Sequence, residues 1–231
     1  MKLSNAKSGS LSRTELKHVS VPASVENFSP HRSISGLTGV LKRSIDCVLA
    51  AAGLIVLAPL FAVIAALVRV ADGGPIFYRQ TRVGFCGCPF TIIKFRTMIQ
   101  DAERDLGPIW AVPHDPRCTR IGYYLRRLGL DELPQLWNVL RGEMSLVGPR
   151  PERPEFTSEF SSELTEYDVR QAVQPGLTGY AQVHGWRGYT SLEERLRHDL
   201  YYIRNWSLAL DAYILAITLI RGWSERTRNG V

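Results

Sequence analysis

Asp131 and Glu132 stand side by side, with Arg126 and Arg127 just upstream and Arg150 and Arg153 downstream. A carboxylate can attack as a nucleophile, or bind a divalent metal together with a substrate phosphate. Leu133, Leu136, Trp137 and Leu140 follow at i, i+3, i+4 and i+7 and predict one apolar helix face. Gly142 stands where that helix would stop, and Pro134 is tolerable only in its first turn. Asp131 then falls at or near the N-cap. A capping Asp bonds free backbone N–H groups and does nothing more. Alternatively, the helix dipole and the arginines favour an ionised, reactive carboxylate. Residue type and spacing leave both readings open.

Gly148-Pro149-Arg150-Pro151-Glu152-Arg153-Pro154 has three prolines in seven positions. They fix the backbone and preposition Arg150 and Arg153 at low entropic cost. Guanidinium groups suit bidentate phosphate binding; a rigid connector with exposed arginines is the plainer reading. Residues 174–188 are Gly-rich and aromatic, and as a bare pattern they form a loop.

The elements that must hold these groups begin with an apolar run. Cys47 to Val68 is 22 uncharged residues, about 33 Å as a straight helix and enough to cross a bilayer. Pro59, near its middle, removes a backbone bond and kinks it. Lys42 and Arg43 precede the run; Arg69, Arg79, Arg82, Lys94 and Arg96 follow it. Positive residues on both sides argue that both ends stay cytoplasmic. A kinked helix that enters and leaves one leaflet satisfies this, and a straight span does not. Ile76–Gln80 and Phe90–Phe95 read as strands of a β-hairpin, with Gly84 and Gly87 between them. Residues 100–118 carry Asp101, Glu103, Asp105, His114 and Asp115 without metal-ligand spacing and read as a mobile loop. Residues 155–173 and Ser191–Asn205 read as helices, the second burying Leu192, Leu196, Tyr202 and Ile203. Residues 208–220 form an apolar run that is short and contains Asp211, which suits an interfacial or packed helix. Its neighbours Tyr201, Tyr202, Trp206, Tyr213 and Trp223 suit the headgroup level.

The 231 residues are the length of one domain, and 45% hydrophobic content supplies a core. The net charge of +6 favours anionic partners. Seven cations against two acids in residues 1–43 put most of it there. Residues 1–40 are polar and Ser-rich, with no apolar signal segment, and read as a solvated, disordered tail. The four cysteines lack zinc or disulfide spacing and read as reduced thiols. The aromatics sit beside apolar helices rather than along a basic groove, which argues against nucleic acid.

Leu130-Asp131-Glu132-Leu133-Pro134-Gln135, followed by Ser145-Leu146-Val147-Gly148-Pro149-Arg150-Pro151, resembles the bacterial sugar transferases. These are monotopic polyprenol-phosphate phosphoglycosyl transferases, the undecaprenyl-phosphate glucose and galactose phosphotransferases among them. The resemblance covers about residues 41–223. It implies a catalytic Asp131 with Glu132 as its partner. It implies that Lys94, in Lys94-Phe95-Arg96-Thr97-Met98, contacts substrate phosphates, with Arg126, Arg150 and Arg153. Gln182, His184 and Arg187 would lie on the nucleotide-sugar side, although the family commonly has Asn where this chain has His184. Asp211 would join Asp131 and Glu132 near Mg²⁺, with Mn²⁺ the alternative ion. The family often has Ser-Pro at the membrane kink, where this chain has Ala58-Pro59. Gly185-Trp186-Arg187-Gly188 resembles members that transfer glucose 1-phosphate.

The expected protein is therefore a mostly helical α+β enzyme associated with the lipid bilayer. A tail covers 1–40, a juxtamembrane and re-entrant helix 41–70, a cytoplasmic catalytic domain 71–223 and a second tail 224–231. It would sit at the cytoplasmic face of a bacterial inner membrane, with a homodimer admitted. It would move a hexose 1-phosphate from a UDP-sugar, glucose before galactose, to undecaprenyl or another polyprenyl phosphate and release UMP. This would be the first membrane step of exopolysaccharide, capsule or O-antigen synthesis. A membrane-anchored scaffold or regulator of polysaccharide assembly is the alternative of another class. Such a scaffold has no need for adjacent acids beside a Pro-locked arginine.

Overall fold

The computed structural model describes residues 36–104, 107, 115–188 and 190–221. Most of the two expected tails, together with Asp105, His114 and Trp223, lies outside them. Helix α1 (Leu37–Val56) starts inside the expected first tail, because Leu37, Val40 and Leu41 already keep helical spacing. It ends at Leu57, whose N–H donates to the Gly53 carbonyl at 2.9 Å. Helix α2 (Ala58–Asp72) begins one residue later, bent from α1 by 61°. Pro59 lies in its first turn, where no intrahelical N–H is needed, so the break falls just ahead of the proline. No single helix among the described residues is long and apolar enough to cross a membrane, but the bent pair passes that test together. The pair leaves Val48, Leu49, Ile55, Val56, Val63 and Leu67 exposed.

Strands β1 (Phe77–Val83) and β2 (Pro89–Phe95) form the expected antiparallel hairpin, with Tyr78 opposite Lys94 and Arg82 opposite Phe90. Cross-strand partners share a face, so Tyr78, Gln80, Arg82, Ile92 and Lys94 all point the way of the buried Ile92. Phe95 points to the other side, 5.4 Å from both Phe61 of α2 and Phe77. There it closes a small core with Ile64, Val68 and Leu125 of α3 (Arg120–Leu128).

The larger core gathers α1, β2 and the C-terminal half. Its centre is α4 (Gln135–Arg141), where the expected apolar face needs correction. Gln135, Leu136, Asn138 and Val139 are buried, whereas Trp137 is 52% exposed. The helix begins at Gln135 rather than Leu133, and the face it buries is the one that carries Leu136 to α1 and Asn138 to β2. Gly53 of α1 lets the two helices close up, since a Cβ there would meet Leu136 Cδ1 at 3.1 Å. Gly142 ends α4 with φ +81°, as its position predicts. Strand β3 (Ser145–Val147) pairs in parallel with β4 (Gly176–Thr178). The Gly-rich stretch is thus part strand and part helix α6 (Tyr180–Val183), not only loop. Before it, residues 155–173 divide into α5 (Pro154–Glu163) and a 3₁₀ turn, Tyr167–Ala172.

Helices α7 (Leu192–Arg204) and α8 (Leu208–Arg221) finish the body. Tyr202 and Trp206 are buried, unlike the half-exposed Tyr201 and Tyr213, so they cannot serve at a headgroup level. Their polar atoms are committed to Asp211: Tyr202 Oη donates to Asp211 Oδ1 at 2.8 Å and Trp206 Nε1 to Oδ2 at 3.1 Å.

Asn138 fastens α4 to the hairpin. The Ile93 N–H donates to its Oδ1 at 3.1 Å, and its Nδ2 donates to the Thr91 carbonyl and Glu143 Oε2, each at 2.7 Å. Asn138→Ala removes the partner of two backbone groups of β2, the Ile93 N–H and the Thr91 carbonyl, and should cost about 1–3 kcal/mol. Urea unfolding of the detergent-solubilised protein reads this directly; a loss below about 0.5 kcal/mol would remove Asn138 as the fastening.

Candidate active site

Asp131 and Glu132 lie in a 3₁₀ turn, Leu130–Glu132, entered through Gly129 at φ +69°. Pro134, not Asp131, is the N-cap of α4, and neither acid caps it through a side chain. The capping reading is therefore overturned: Gly129 and Pro134 set a separate turn that aims both acids elsewhere.

Both carboxylates are buried. Glu132 is gripped from two sides. Lys94 Nζ, on the inward face of β2, donates to Glu132 Oε1 at 2.9 Å. Arg150 binds it as a fork, Nη1 to Oε2 at 3.2 Å and Nη2 to Oε1. Asp131 has no hydrogen bond to its carboxylate among the described residues. Burial and the charge of Glu132 push its pKa up to about 6, against the pull of Lys94, Arg126 and Arg150. This reverses the expectation that arginines and dipole would keep it low, because desolvation outweighs them. Burial also lowers the Lys94 ammonium, partly offset by Glu132, whereas Glu132 raises Arg150 and holds it charged.

Of the other candidates, Arg126 lies in the last turn of α3, its Nε bonded to Thr97 Oγ1 at 2.9 Å, and its charge reaches Asp131. Arg153 is not on the acid pair. Its Nη1 reaches both Glu103 oxygens at 3.0 Å, and its guanidinium sits 5.6 Å from the Phe156 ring centre. Gln182 Nε2 donates to the Leu177 carbonyl at 3.5 Å. His184 Nδ1 lies 2.8 Å from the Tyr180 carbonyl. Both bond within their own segment, and Arg187 follows in the turn after α6. Asp211 is held by Lys42 Nζ at 2.6 Å as well as by Tyr202 and Trp206.

Among the described residues no three His, Cys, Asp or Glu side chains meet in a metal-holding group. Asp131, Glu132 and Asp211 thus do not form a three-carboxylate cage, because Asp211 serves the foot of α1. The remaining pair, one carboxylate free of hydrogen bonds, suits a cation that takes most of its ligands from phosphates and water, the habit of Mg²⁺. Reading the sequence missed Arg82, Glu152 and Arg170. Arg82 could have been found: it alternates in phase with the strand face that carries Lys94.

A family model described as bacterial sugar transferase matches residues 37–225. The UDP-glucose:undecaprenyl-phosphate glucose-1-phosphate transferase of Escherichia coli (strain K12) is 42% identical over 197 residues, 84% of this chain and 42% of that protein. The UDP-N-acetylgalactosamine-undecaprenyl-phosphate N-acetylgalactosaminephosphotransferase of Aeromonas hydrophila is 40% identical over 187 residues, 80% of this chain and 44% of that one. Exopolysaccharide production protein ExoY of Sinorhizobium fredii is 39% identical over 228 residues, 90% of this chain and 99% of the relative. The chain spans less than half of the first two and nearly all of the third.

The raised Asp131 value fixes a pH sign. Between its unfolded value near 3.8 and about 6, the folded state holds the extra proton, so this group's contribution to stability falls as pH rises through that window. In metal-free protein the Asp131 carboxyl should titrate near 6 by ¹³C NMR. Glu132→Gln should lower that midpoint and Lys94→Met raise it; shifts of the opposite sign would contradict the charge assignment.

Proposed function

The chain belongs to the bacterial sugar transferase family, and on that premise we propose that it moves a hexose 1-phosphate from a UDP-sugar to undecaprenyl phosphate. What supports this most is Asp131, a buried carboxylate with no hydrogen-bonding donor among the described residues, beside an acid already neutralised by Lys94 and Arg150. A scaffold would have no use for it.

An Asp131 oxygen attacks the β-phosphorus of the donor. The new P–O bond makes a phosphosugar–enzyme ester, and the bond to the bridging oxygen breaks, its electron pair leaving with UMP. An oxygen of the lipid phosphate then attacks the same phosphorus. The acyl–phosphate bond breaks, Asp131 returns as a carboxylate, and the lipid carries the sugar through a diphosphate. Lys94, Arg126 and Arg150 stabilise charge on the phosphoryl oxygens. Mg²⁺, or Mn²⁺ in its place, held by Asp131 and Glu132 with the donor phosphates, would offset phosphate charge and aid departure of UMP.

Glucose is the favoured sugar, from the Gly185-Trp186-Arg187-Gly188 segment and the glucose named in the Escherichia coli relative, with UDP-galactose second. The Aeromonas relative, named for N-acetylgalactosamine, makes UDP-N-acetylgalactosamine the competitor to test. Its place is the first membrane step of exopolysaccharide synthesis, in keeping with the name of the full-length relative. The bent pair α1–α2, with its exposed apolar faces and basic flanks, would enter and leave one leaflet from the cytoplasmic side. One pocket can then meet a soluble donor and an acceptor phosphate at the interface.

Wild-type protein given UDP-glucose and Mg²⁺ without acceptor should gain the mass of a hexose phosphate on Asp131. Asp131→Asn should fold, show no adduct and lose turnover by at least about a thousandfold. Product that forms only when both substrates are bound together, with no adduct, would mean direct transfer. For topology, cysteines introduced near residues 36 and 74 should both resist a membrane-impermeant reagent added from the periplasm. Strong labelling of either would sink the re-entrant arrangement.

A further inference from the structure

Arg150 does not hold its place alone. Its own backbone carbonyl accepts a hydrogen bond from Nη2 of Arg170 at 2.9 Å. Arg170 is buried, and its other nitrogens are committed: Nε to Asp199 Oδ2 at 2.8 Å and Nη1 to Tyr167 Oη at 2.7 Å. Two residues beyond Arg150, Glu152 Oε1 accepts from Nη1 of Arg195 at 2.9 Å, with Arg82 at 3.8 Å from its other oxygen. The Glu152 carbonyl accepts the Val83 N–H at 2.9 Å. Arg195 and Asp199 are one turn apart on α7 and face the same way. Arg195 Nη2 also donates to the Gly188 carbonyl at 2.6 Å, at the end of the Gly185–Gly188 segment.

Four buried ionic side chains are a poor means of stabilising a loop, since desolvation offsets most of their attraction. What they supply is direction: a fork fixed at three points leaves the loop backbone one position. Pro149 and Pro151 stiffen the loop, so a carbonyl fixed at Arg150 fixes the origin of its side chain.

We propose that Arg170, oriented by Asp199, is a positioning residue that sets Arg150 on Glu132, and that Arg195 latches the same loop to α7 through Glu152. The effect on rate rests on the transfer reaction proposed above; the effect on Arg150 does not. Misplacing a charged group by about 1 Å can cost a hundredfold in rate.

The test uses full-length protein in detergent. In ¹⁵N spectra, the bidentate grip of Glu132 should give Arg150 distinct, slowly exchanging Nη signals. Arg170→Met should collapse them to one averaged signal, while Arg204→Met, which removes an exposed pair between the end of α7 and Glu166, should leave them unchanged. In turnover, Arg170→Met should lower kcat about 10- to 100-fold with little change in donor KM, and Arg170→Lys should restore part of it. Arg150→Met combined with Arg170→Met should be no worse than Arg150→Met alone, because Arg170 acts on the reaction only through Arg150. Unchanged Arg150 signals in Arg170→Met, or losses that multiply in the double variant, would overturn the assignment. If Arg170→Met does not fold, Asp199→Asn, which keeps its shape, takes its place in every arm. Wild-type protein that lacks transferase activity, with the Arg150 signals distinct in it and collapsed in Arg170→Met, would overturn the proposed reaction and leave the positioning intact.

Discussion

Two neighbouring carboxylates are buried together, and the rest of the structure answers to that constraint. Adjacent like charges repel strongly once water is excluded. The fold settles this unevenly. Glu132 receives the Lys94 ammonium and the Arg150 fork, while Asp131 receives no hydrogen bond among the described residues. Lys94 needs the hairpin, Arg150 needs the Pro-stiffened loop, and Arg126 needs the last turn of α3. Three segments far apart in sequence therefore converge on one turn, and Gly129 supplies the backbone bend that admits it. Had the cations been shared equally, the Asp131 carboxylate would be held by charge-assisted hydrogen bonds as Glu132 is.

The elements that follow from local rules were legible. Gly142 ends α4, the alternation around Gly84 and Gly87 gives the hairpin, and the apolar run breaks beside its proline. What local pattern could not supply was the balance of long-range terms. The acid pair looked like a helix cap because spacing cannot show a separate 3₁₀ turn. The Asp131 pKa was given the wrong direction because the arginines are visible in sequence and desolvation is not. Tyr202 and Trp206 looked interfacial by type, but their polar atoms satisfy the buried Asp211, which no nearest-neighbour rule reveals. Asp211 itself was drawn to the metal by resemblance; its partner Lys42 lies 169 positions away. Arg170, Arg195 and Glu152 carry no signature in sequence, since their meaning lies only in which carbonyl or carboxylate each one holds.

The polar foot of α1 joins the bent helix pair to the body. Lys42 binds Asp211 and the Val147 carbonyl, Arg43 caps the end of α4 through the Val139 and Leu140 carbonyls, and Asp46 accepts from Ser145 Oγ at 2.7 Å. These bonds reach the loop that runs through β3 into Arg150. The same few residues thus tie the apolar pair, the core and the Arg150 loop into one piece.

Helix α1 has no break between this foot and Val56. From Asp46 to Val56 it is a rigid rod of about 15 Å, bound at its foot by the ionic bonds above and held along one side, where Ala50, Gly53 and Leu54 pack against the body. It acts as a lever. So held, it tilts only together with the body: a tilt of about 5° corresponds to about 1 Å of travel at the tip and to the same rotation of everything packed on it. With the leaflet insertion proposed above, the thickness and tension of the lipid would therefore be geared to the height of Asp131 above the headgroups. Bilayers of different thickness would tune the reach of the same unchanged site.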